Sequence, residues 1–307
     1  MIAEATSILT YYTAFINTGN QPFGPIAIKT RAPTLIPRPE TEDWTIRLAS
    51  LVEDKFPTND GGGGRAIRVL DLCTGTGCIP ILLSYLRRQT GGTTIAYGVD
   101  VSADAVALAQ ENAIDQSLTP SGGPHFIASS HDGDPEARTG AGEAGELGGQ
   151  ANDDRGIVNR NAANAAGGHT STLDVIRADI LHEDFVRLFI SRMEPPFDVV
   201  TSNPPYIPLD EYEGLPNSVK EWEDRRALLG DLPTHRSGDG RGLTFYHRIA
   251  QIVSTDGVLG ANGVVVLEVG HTQAEEVREI LKETGRVTMT EVWRDPWGVP
   301  RAVVGYR

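Results

Sequence analysis

The chain predicts an α/β fold, a doubly wound sheet covered by helices that closes with an antiparallel β-hairpin. Three observations carry that prediction. Residues 67–73 form a short apolar run that enters Thr74-Gly75-Thr76-Gly77 and then a helical stretch, the strand, glycine turn and helix that open a βαβ unit. Apolar runs of strand length alternate with helix-length stretches through most of the chain, the pattern of a parallel sheet with crossover helices. The last two runs, 288–293 and 302–306, flank Pro296-Trp297-Gly298-Val299-Pro300, which reads as the turn of a closing hairpin.

Composition narrows the possibilities. With 307 residues there is room for one large α/β domain or two smaller ones. The hydrophobic share of 39% against 22% charged is ordinary for a globular chain, and no apolar run approaches the ~18 residues of a membrane span, so no membrane partner is expected. The net charge is −14. A protein whose main partner is a nucleic-acid backbone usually carries a basic face, so no direct nucleic-acid substrate is expected. Cys73 and Cys78 are the two cysteines and share one glycine loop and its helix. They fit a reduced compartment and buried packing better than redox or metal roles. Residues 1–20 contain Glu4 and no Lys or Arg, unlike a signal peptide or an Arg-rich transit peptide.

In chain order, residues 8–16 suit a short helix ended by Gly19-Asn20, residues 21–25 a turn, and 26–30 a weakly alternating strand. Pro39 and the acids after it start a helix over 41–56, with Trp44, Leu48, Leu51 and Val52 on its apolar side. The stretch before it, Leu35-Ile36-Pro37-Arg38-Pro39-Glu40, is either an ordinary helix entry or a rigid rim whose Arg38 and Glu40 face a site; spacing does not choose. After the glycine linker 61–64 come the strand 67–73, a helix 78–88, a strand 94–100 and a helix 103–113. Pro80 stands where a dinucleotide fingerprint would place its third glycine, so a diphosphate ligand fits poorly, while a ligand without one is still allowed. Asp100 ends its strand about 20 residues past the glycines, the usual offset for a carboxylate that accepts from ribose hydroxyls. Its other possible role is to cap the following helix, a job that Ser102 can do.

Residues 118–172 are rich in Gly, Asn, Ala, Asp and Ser and poor in apolar residues. Such a stretch buries too little surface to offset its ordering, and we expect a disordered low-complexity insertion of eukaryotic type. His125, His131 and His169 fall within it at no metal-ligand spacing. Order resumes with a strand over 173–179 ending in an acid, a helix over 184–193 and a strand over 197–201. The polar, Pro- and Gly-rich segment 207–241 reads as a long ordered loop or lid. A helix over 243–253, a strand over 263–270 and a helix over 273–283 precede the hairpin.

Ser202-Asn203-Pro204-Pro205-Tyr206 follows the apolar strand before it. Each proline fixes φ and lacks an N–H, and Asn203 is held extended by the proline after it. A stiff loop at a strand's carboxyl end thus presents an amide and an aromatic ring. That pair suits gripping a planar NH2 group by hydrogen bond and stacking. A simple Pro-rich turn begun by an Asn remains the competing reading.

Six stretches now occur together and in order: LIPRPETE at 35–42, DLCTGTG at 71–77, GVDVSADAVALAQENA at 98–113, FDVVTSNPPYI at 197–207, LEVG at 267–270, and the ending 294–307. Together they resemble the HemK/PrmC-type protein-(glutamine-N5) methyltransferases of peptide chain release factors, over roughly residues 21–307 apart from the insertion. The resemblance implies a Rossmann-like doubly wound sheet of the S-adenosylmethionine-dependent methyltransferase type, with S-adenosyl-L-methionine as cofactor and the GGQ loop of a release factor as partner. It divides the chain into a remnant segment 1–30, in place of most of the family's N-terminal helical domain, and a methyltransferase domain 31–307. Cys73 stands where the family usually has glycine.

By the same resemblance, Asn203, Pro204, Pro205 and Tyr206 form the catalytic loop, and Arg38, Pro39 and Glu40 the substrate rim. Cys73, Thr74, Gly75, Thr76 and Gly77 wrap the methionine and ribose part of the cofactor, Asp100 takes the ribose hydroxyls, Asp179 and Ile180 sit by the adenine, and Asn203 borders the cofactor too. A glutamine nitrogen is a poor nucleophile because its lone pair is delocalised. The Asn203 carbonyl and the Pro204 backbone carbonyl would orient it and stabilise growing positive charge, and Tyr206 would stack on it. No metal is required. A monomer is expected, in the mitochondrial matrix or alternatively the cytoplasm. DNA or RNA amino-group methyltransferases, of the adenine-N6 or guanine-N2 kind, share versions of NPPY and form the alternative, disfavoured by the acidic charge. A non-catalytic cofactor-binding module would be expected to have lost Asn203 or Asp100. A nicotinamide dehydrogenase is disfavoured by Pro80.

Overall fold

Seven strands form one sheet, and the computed structural model describes it through residues 19–58, 64–120, 170–231 and 240–307. The expected helix at 8–16 and most of the 118–172 stretch lie outside the described residues. All the described residues belong to one compact unit.

A small hairpin comes first, Asn20–Phe23 (β1) against Ile26–Lys29 (β2). Helix α1 (Pro39–Lys55) follows, opened by proline in its first turn with Glu40 and Glu42 beside it and closed by Lys55. Those charges complement the helix dipole at both ends. Then come β3 (Ile67–Leu72), α2 (Cys78–Gln89), β4 (Thr94–Asp100), α3 (Ala103–Asp115) and β5 (Thr172–Arg177). A short helix α4 (Phe185–Leu188) and a 3-10 turn (Ile190–Arg192) lead to β6 (Phe197–Ser202). Three short helices, α5 (Leu209–Glu213), α6 (Asn217–Trp222) and α7 (Arg225–Leu228), precede α8 (Thr244–Ser254), β7 (Leu259–Glu268), α9 (Ala274–Glu283), β8 (Met289–Arg294) and β9 (Pro300–Tyr306).

The strand order is β5-β4-β3-β6-β7-β9-β8. β5 through β7 run parallel, and β9 pairs antiparallel with both β7 and β8. The expected α/β doubly wound sheet with a closing antiparallel hairpin is therefore the observed architecture. β3 and β6 are buried on both faces, as central strands of a parallel sheet are. The carboxyl ends of five parallel strands, at Leu72, Asp100, Arg177, Ser202 and Glu268, share one edge. Strand order reverses between β3 and β6, so a crevice opens there.

Several boundaries differ from expectation. The domain does not begin at residue 31. Phe23 and Ile28 are fully buried in the same apolar cluster as Trp44, Leu48 and Ile81. Asn112 of α3 completes the attachment: its Oδ1 accepts from the Lys29 N–H at 2.8 Å, and its Nδ2 donates to the Lys29 carbonyl at 3.1 Å and the Thr76 carbonyl at 3.0 Å. Two-residue alternation over such short strands is too weak a signal to reveal that burial. The insertion is also narrower than 118–172. Leu118 is fully buried, and Thr119 bridges to Thr172 where β5 begins. The helix expected at 184–193 changes from α to the tighter 3-10 winding, with Phe185, Ile190 and Met193 all buried. The lid segment holds α5, α6 and α7, while residues 232–239 fall outside the described ones.

Phe23→Ala should cost about 3–5 kcal/mol, the usual loss for a fully buried ring, measured by urea unfolding of the purified chain. A loss below ~1 kcal/mol would show that the hairpin merely decorates the domain.

Candidate active site

Two turns leave the sheet side by side at the crevice, one after β3 and one after β6. Asp71, fully buried in β3, joins them. Its Oδ2 accepts from the Thr74 hydroxyl at 2.6 Å and its Oδ1 from the Thr201 hydroxyl at 2.7 Å. Ser202 adds a bond from its hydroxyl to the Leu72 carbonyl at 2.7 Å. The glycine turn and the Asn-Pro-Pro-Tyr loop thus start from a shared, hydrogen-bonded base.

Within the glycine turn the residues divide. Cys73 has φ 59, the left-handed region where a side chain costs roughly 1–2 kcal/mol, so glycine would fit this position with less strain. Burial and the nearby Asp100 and Asp71 push its thiol well above the ordinary value, so it stays protonated. Cys73 and Gly75 line a cavity of about 310 Å³, together with Asp100, Asp179, Ile180 and Asn203. Thr74, Thr76 and Gly77, expected to wrap a ligand, do not line it. The Thr74 hydroxyl is turned inward to Asp71. Thr76 is buried and its carbonyl accepts from Asn112. Gly77, at φ 78, lies where an added Cβ would meet Ala109 at 3.2 Å. These three shape the turn from beneath.

Asp100 occupies the floor of that cavity. Its Oδ2 accepts from the Gly75 N–H at 2.9 Å and its Oδ1 from the Ser102 N–H at 2.9 Å. Burial raises its pKa, and those backbone donors pull it back down. Ser102 is the cap of α3, accepting from the Ala105 N–H at 3.4 Å, so Asp100 is free of that duty. Each carboxylate oxygen keeps a second lone pair for a hydroxyl donor. Apolar walls come from Val99, Ala178, Ile180 and Phe245, and Asp224 and Arg226 enter from the α7 region.

A second cavity, about 390 Å³, adjoins the first. Arg38, Pro39, Glu40, Asn203, Pro204 and Tyr206 line it, with Glu268 and Arg301. Pro205 faces the first cavity instead. Asn203 lines both, and so do Leu35 and Ala227. The roof is the α5–α7 segment. Arg38 Nη2 donates to both carboxylate oxygens of the buried Glu223 at 2.7 Å, and the Ile36 N–H reaches Glu223 Oε1 at 3.1 Å. One glutamate from the roof therefore fastens the loop before α1. Glu40 and Asp295 both pair with Arg301, at 3.3 and 2.8 Å.

The Asn-Pro-Pro-Tyr loop is fixed from behind. Gln273 Nε2 donates to the Tyr206 carbonyl at 2.9 Å and the Arg241 carbonyl at 2.8 Å. Gly242 is pressed so close that a Cβ there would lie 2.2 Å from the Tyr206 carbonyl oxygen, a distance only glycine permits. Burial raises the pKa of the Tyr206 phenol, with Glu268 adding to it, so the ring stays neutral. Asn203 Nδ2 donates to the Thr41 hydroxyl at 3.3 Å, and that hydroxyl donates to Glu268 Oε2 at 2.6 Å.

Sequence reasoning did not assign Asp71, Thr41, Glu223, Glu268 or Gln273. Glu268 sits inside a stretch flagged only as a match, and the bonds that give the others meaning span long separations, 187 residues for Ile36 to Glu223. Among the described residues, no cluster of three or more His, Cys, Asp or Glu is placed to hold a metal ion, and no helix is long and apolar enough to cross a membrane.

No family model matches the chain. Among curated relatives, it is 27% identical over 269 residues to a release factor glutamine methyltransferase of Bacillus cereus, spanning 88% of this chain and 67% of that protein. It is 26% identical over 281 residues to the protein of the same description from Lactococcus lactis, spanning 92% and 72%. A solved protein-(glutamine-N5) methyltransferase from Alicyclobacillus acidocaldarius superposes with a TM-score of 0.38 at 20% identity, covering 89% of this chain and 94% of that one.

Asp71 generates a pH test. Burial pushes its carboxyl from 3.8 up to about 7, against the opposing pull of Thr74 and Thr201. The folded state therefore holds a proton that the unfolded chain releases near 3.8. Stability from this group is full below that value and drains as pH rises towards 7. The urea midpoint of the wild type should fall relative to that of Asp71→Asn between pH 4 and 7. Parallel curves for the two proteins would contradict the raised value.

Proposed function

We propose that this chain transfers a methyl group from S-adenosylmethionine to the side-chain nitrogen of the glutamine in the GGQ loop of a peptide chain release factor. The observation that carries the reading is the position of Asn203, which lines both cavities at the point where they meet. The curated relatives of that description, aligned over most of this chain, support the same assignment.

The residues present fit the cofactor. Asp100 offers carboxylate lone pairs to a ribose diol, Gly75 lets the backbone pass close, and Ile180, Ala178 and Phe245 offer an apolar slot for an adenine ring. When bound, the cofactor supplies an electrophilic methyl group on a sulfonium. The chain does the rest by placement. Asn203, anchored through its NH2 to Thr41, turns its carbonyl to accept from the substrate N–H. The Pro204 carbonyl takes the other N–H. Two acceptors on one amide aim the nitrogen and favour charge growing on it. Tyr206, held by Gln273, packs on the amide plane. Loss of a proton from the methylated nitrogen needs no strong base.

Arg38, Pro39 and Glu40 form the entrance to the substrate cavity. We further propose that the protein acts as a monomer, and in the mitochondrial matrix; the eukaryote-like composition of residues 118–172 supports the location.

Mass spectrometry of a GGQ-containing release factor incubated with the protein and S-adenosylmethionine should show one added methyl on that glutamine. Label appearing on DNA or RNA instead, with the release factor unmodified, would replace this reading with the amino-group methyltransferase alternative. Asp100→Ala should weaken S-adenosylhomocysteine binding by about 1–3 kcal/mol in titration calorimetry, the scale of a charge-assisted hydrogen bond. Unchanged affinity would remove Asp100 from the ribose role. Asn203→Asp keeps the shape and one acceptor but loses the NH2 that Thr41 holds. It should lower single-turnover transfer by about 100-fold or more, the scale of a misplaced reacting group, with cofactor affinity changed far less. Near-normal transfer by that variant would leave the loop a structural turn.

A further inference from the structure

We propose that Thr41 and Glu268 are positioning residues that fix which way round the Asn203 amide stands, and that the rate of transfer depends on them; this rests on the transfer reading above. An asparagine side chain is nearly symmetric in shape, and only its neighbours decide whether its oxygen or its NH2 faces a site. Here the neighbours form a one-way chain. Asn203 Nδ2 lies 3.3 Å from Thr41 Oγ1, Thr41 Oγ1 lies 2.6 Å from Glu268 Oε2, and Trp44 Nε1 donates to that same Oε2 at 2.8 Å.

The polarity follows from counting protons. A threonine hydroxyl has one proton and two lone pairs. The carboxylate oxygen, much the closer partner, takes the proton. A lone pair of Oγ1 is left facing Asn203, and it accepts only from NH2. If the amide were reversed, two oxygen lone pairs would oppose each other at the Thr41 contact. The amide oxygen is therefore directed to the other side, towards the cavities that Asn203 lines. Burial raises the pKa of the Glu268 carboxyl, while the Thr41 and Trp44 donors lower it. The polarity holds in either protonation state, because a proton on Oε1 still leaves Oε2 as acceptor.

The scaffold keeps the chain of donors rigid. Thr41 and Trp44 sit in the first turns of α1, and their side chains meet Glu268 at the end of β7, where Tyr246 also donates to the Glu268 carbonyl at 2.9 Å. Thr41 and Glu268 are 1% and 3% exposed, so solvent does not offer Thr41 an alternative partner. The link spans 227 residues, joining the first turn of α1 to the carboxyl end of β7.

The test compares Thr41→Val, Thr41→Ser and Glu268→Gln in single-turnover methyl transfer to a GGQ release factor, alongside substrate KM, S-adenosylhomocysteine affinity and melting temperature. Thr41→Val, which keeps the shape and removes the hydroxyl, should lower the rate by about 10- to 100-fold while KM and cofactor affinity stay near those of the wild type. Thr41→Ser should restore most of the rate. Glu268→Gln can offer its own NH2 to Thr41, which frees the threonine proton to face Asn203, so it too should slow transfer. In an Asn203→Ala background, Thr41→Val should cost nothing further in residual transfer, because a group that acts only through Asn203 has nothing left to act on. An equal loss in both backgrounds, or a Thr41→Val enzyme as fast as the wild type, would overturn the positioning role. A wild-type protein that leaves the release factor unmethylated would instead defeat the transfer reading itself.

Discussion

One buried acid side chain lies under both turns of the site. Asp71 gives one oxygen to Thr74 and the other to Thr201, and so locks the glycine turn to the strand that launches Asn203. The sheet supplies the reason for the arrangement. Two parallel neighbours, β3 and β6, end at the same height, with Leu72 opposite Ser202 in register, and their continuations diverge to opposite sides. The Ser202 hydroxyl on the Leu72 carbonyl adds a second tie at the same place. With both ties, the spacing between Asp100 in the first cavity and the amide at Asn203 becomes a property of the core.

The same economy recurs in the shell around the site. Asn112 satisfies three backbone groups at once, joining the first hairpin, the glycine turn and α3. Glu223 takes the Arg38 guanidinium and the Ile36 N–H together, and binds roof to rim. Gln273 spans two carbonyls of neighbouring loops. Each is a buried polar group that meets its needs by bridging elements distant in sequence. Removing one leaves stranded donors or acceptors on several elements at once, which is why such groups tolerate substitution poorly.

What the sequence made legible follows the range of the forces involved. The strands β3, β4 and β6, the helix opened by Pro39 and the stiff loop at 203–206 were all readable, because proline geometry and apolar periodicity act within a few residues. Asp100 was placed by its offset from the glycines, and Ser102 took the capping duty as anticipated. Thr74, Thr76 and Gly77 were assigned to a ligand by the family resemblance, but local sequence does not announce which groups of a turn face inward. That depended on Asp71, Asn112 and Ala109 beneath them. Thr41 and Glu268 were invisible for the same reason in stronger form, since their bond joins α1 to the end of β7. The buried hairpin was underread because four-residue strands carry almost no periodic signal.

Two cavities that share Asn203, Leu35 and Ala227 in their walls have a stereochemical consequence under the proposed function. Under the proposed function each reactant would occupy its own cavity, and the migrating carbon would cross directly between them. The thiol of Cys73, which lines the first cavity, is kept protonated by its surroundings and would offer no stopping place. A single crossing turns a chiral methyl group inside out once, as an umbrella inverts. Product made from a donor of known isotopic handedness would carry the opposite handedness.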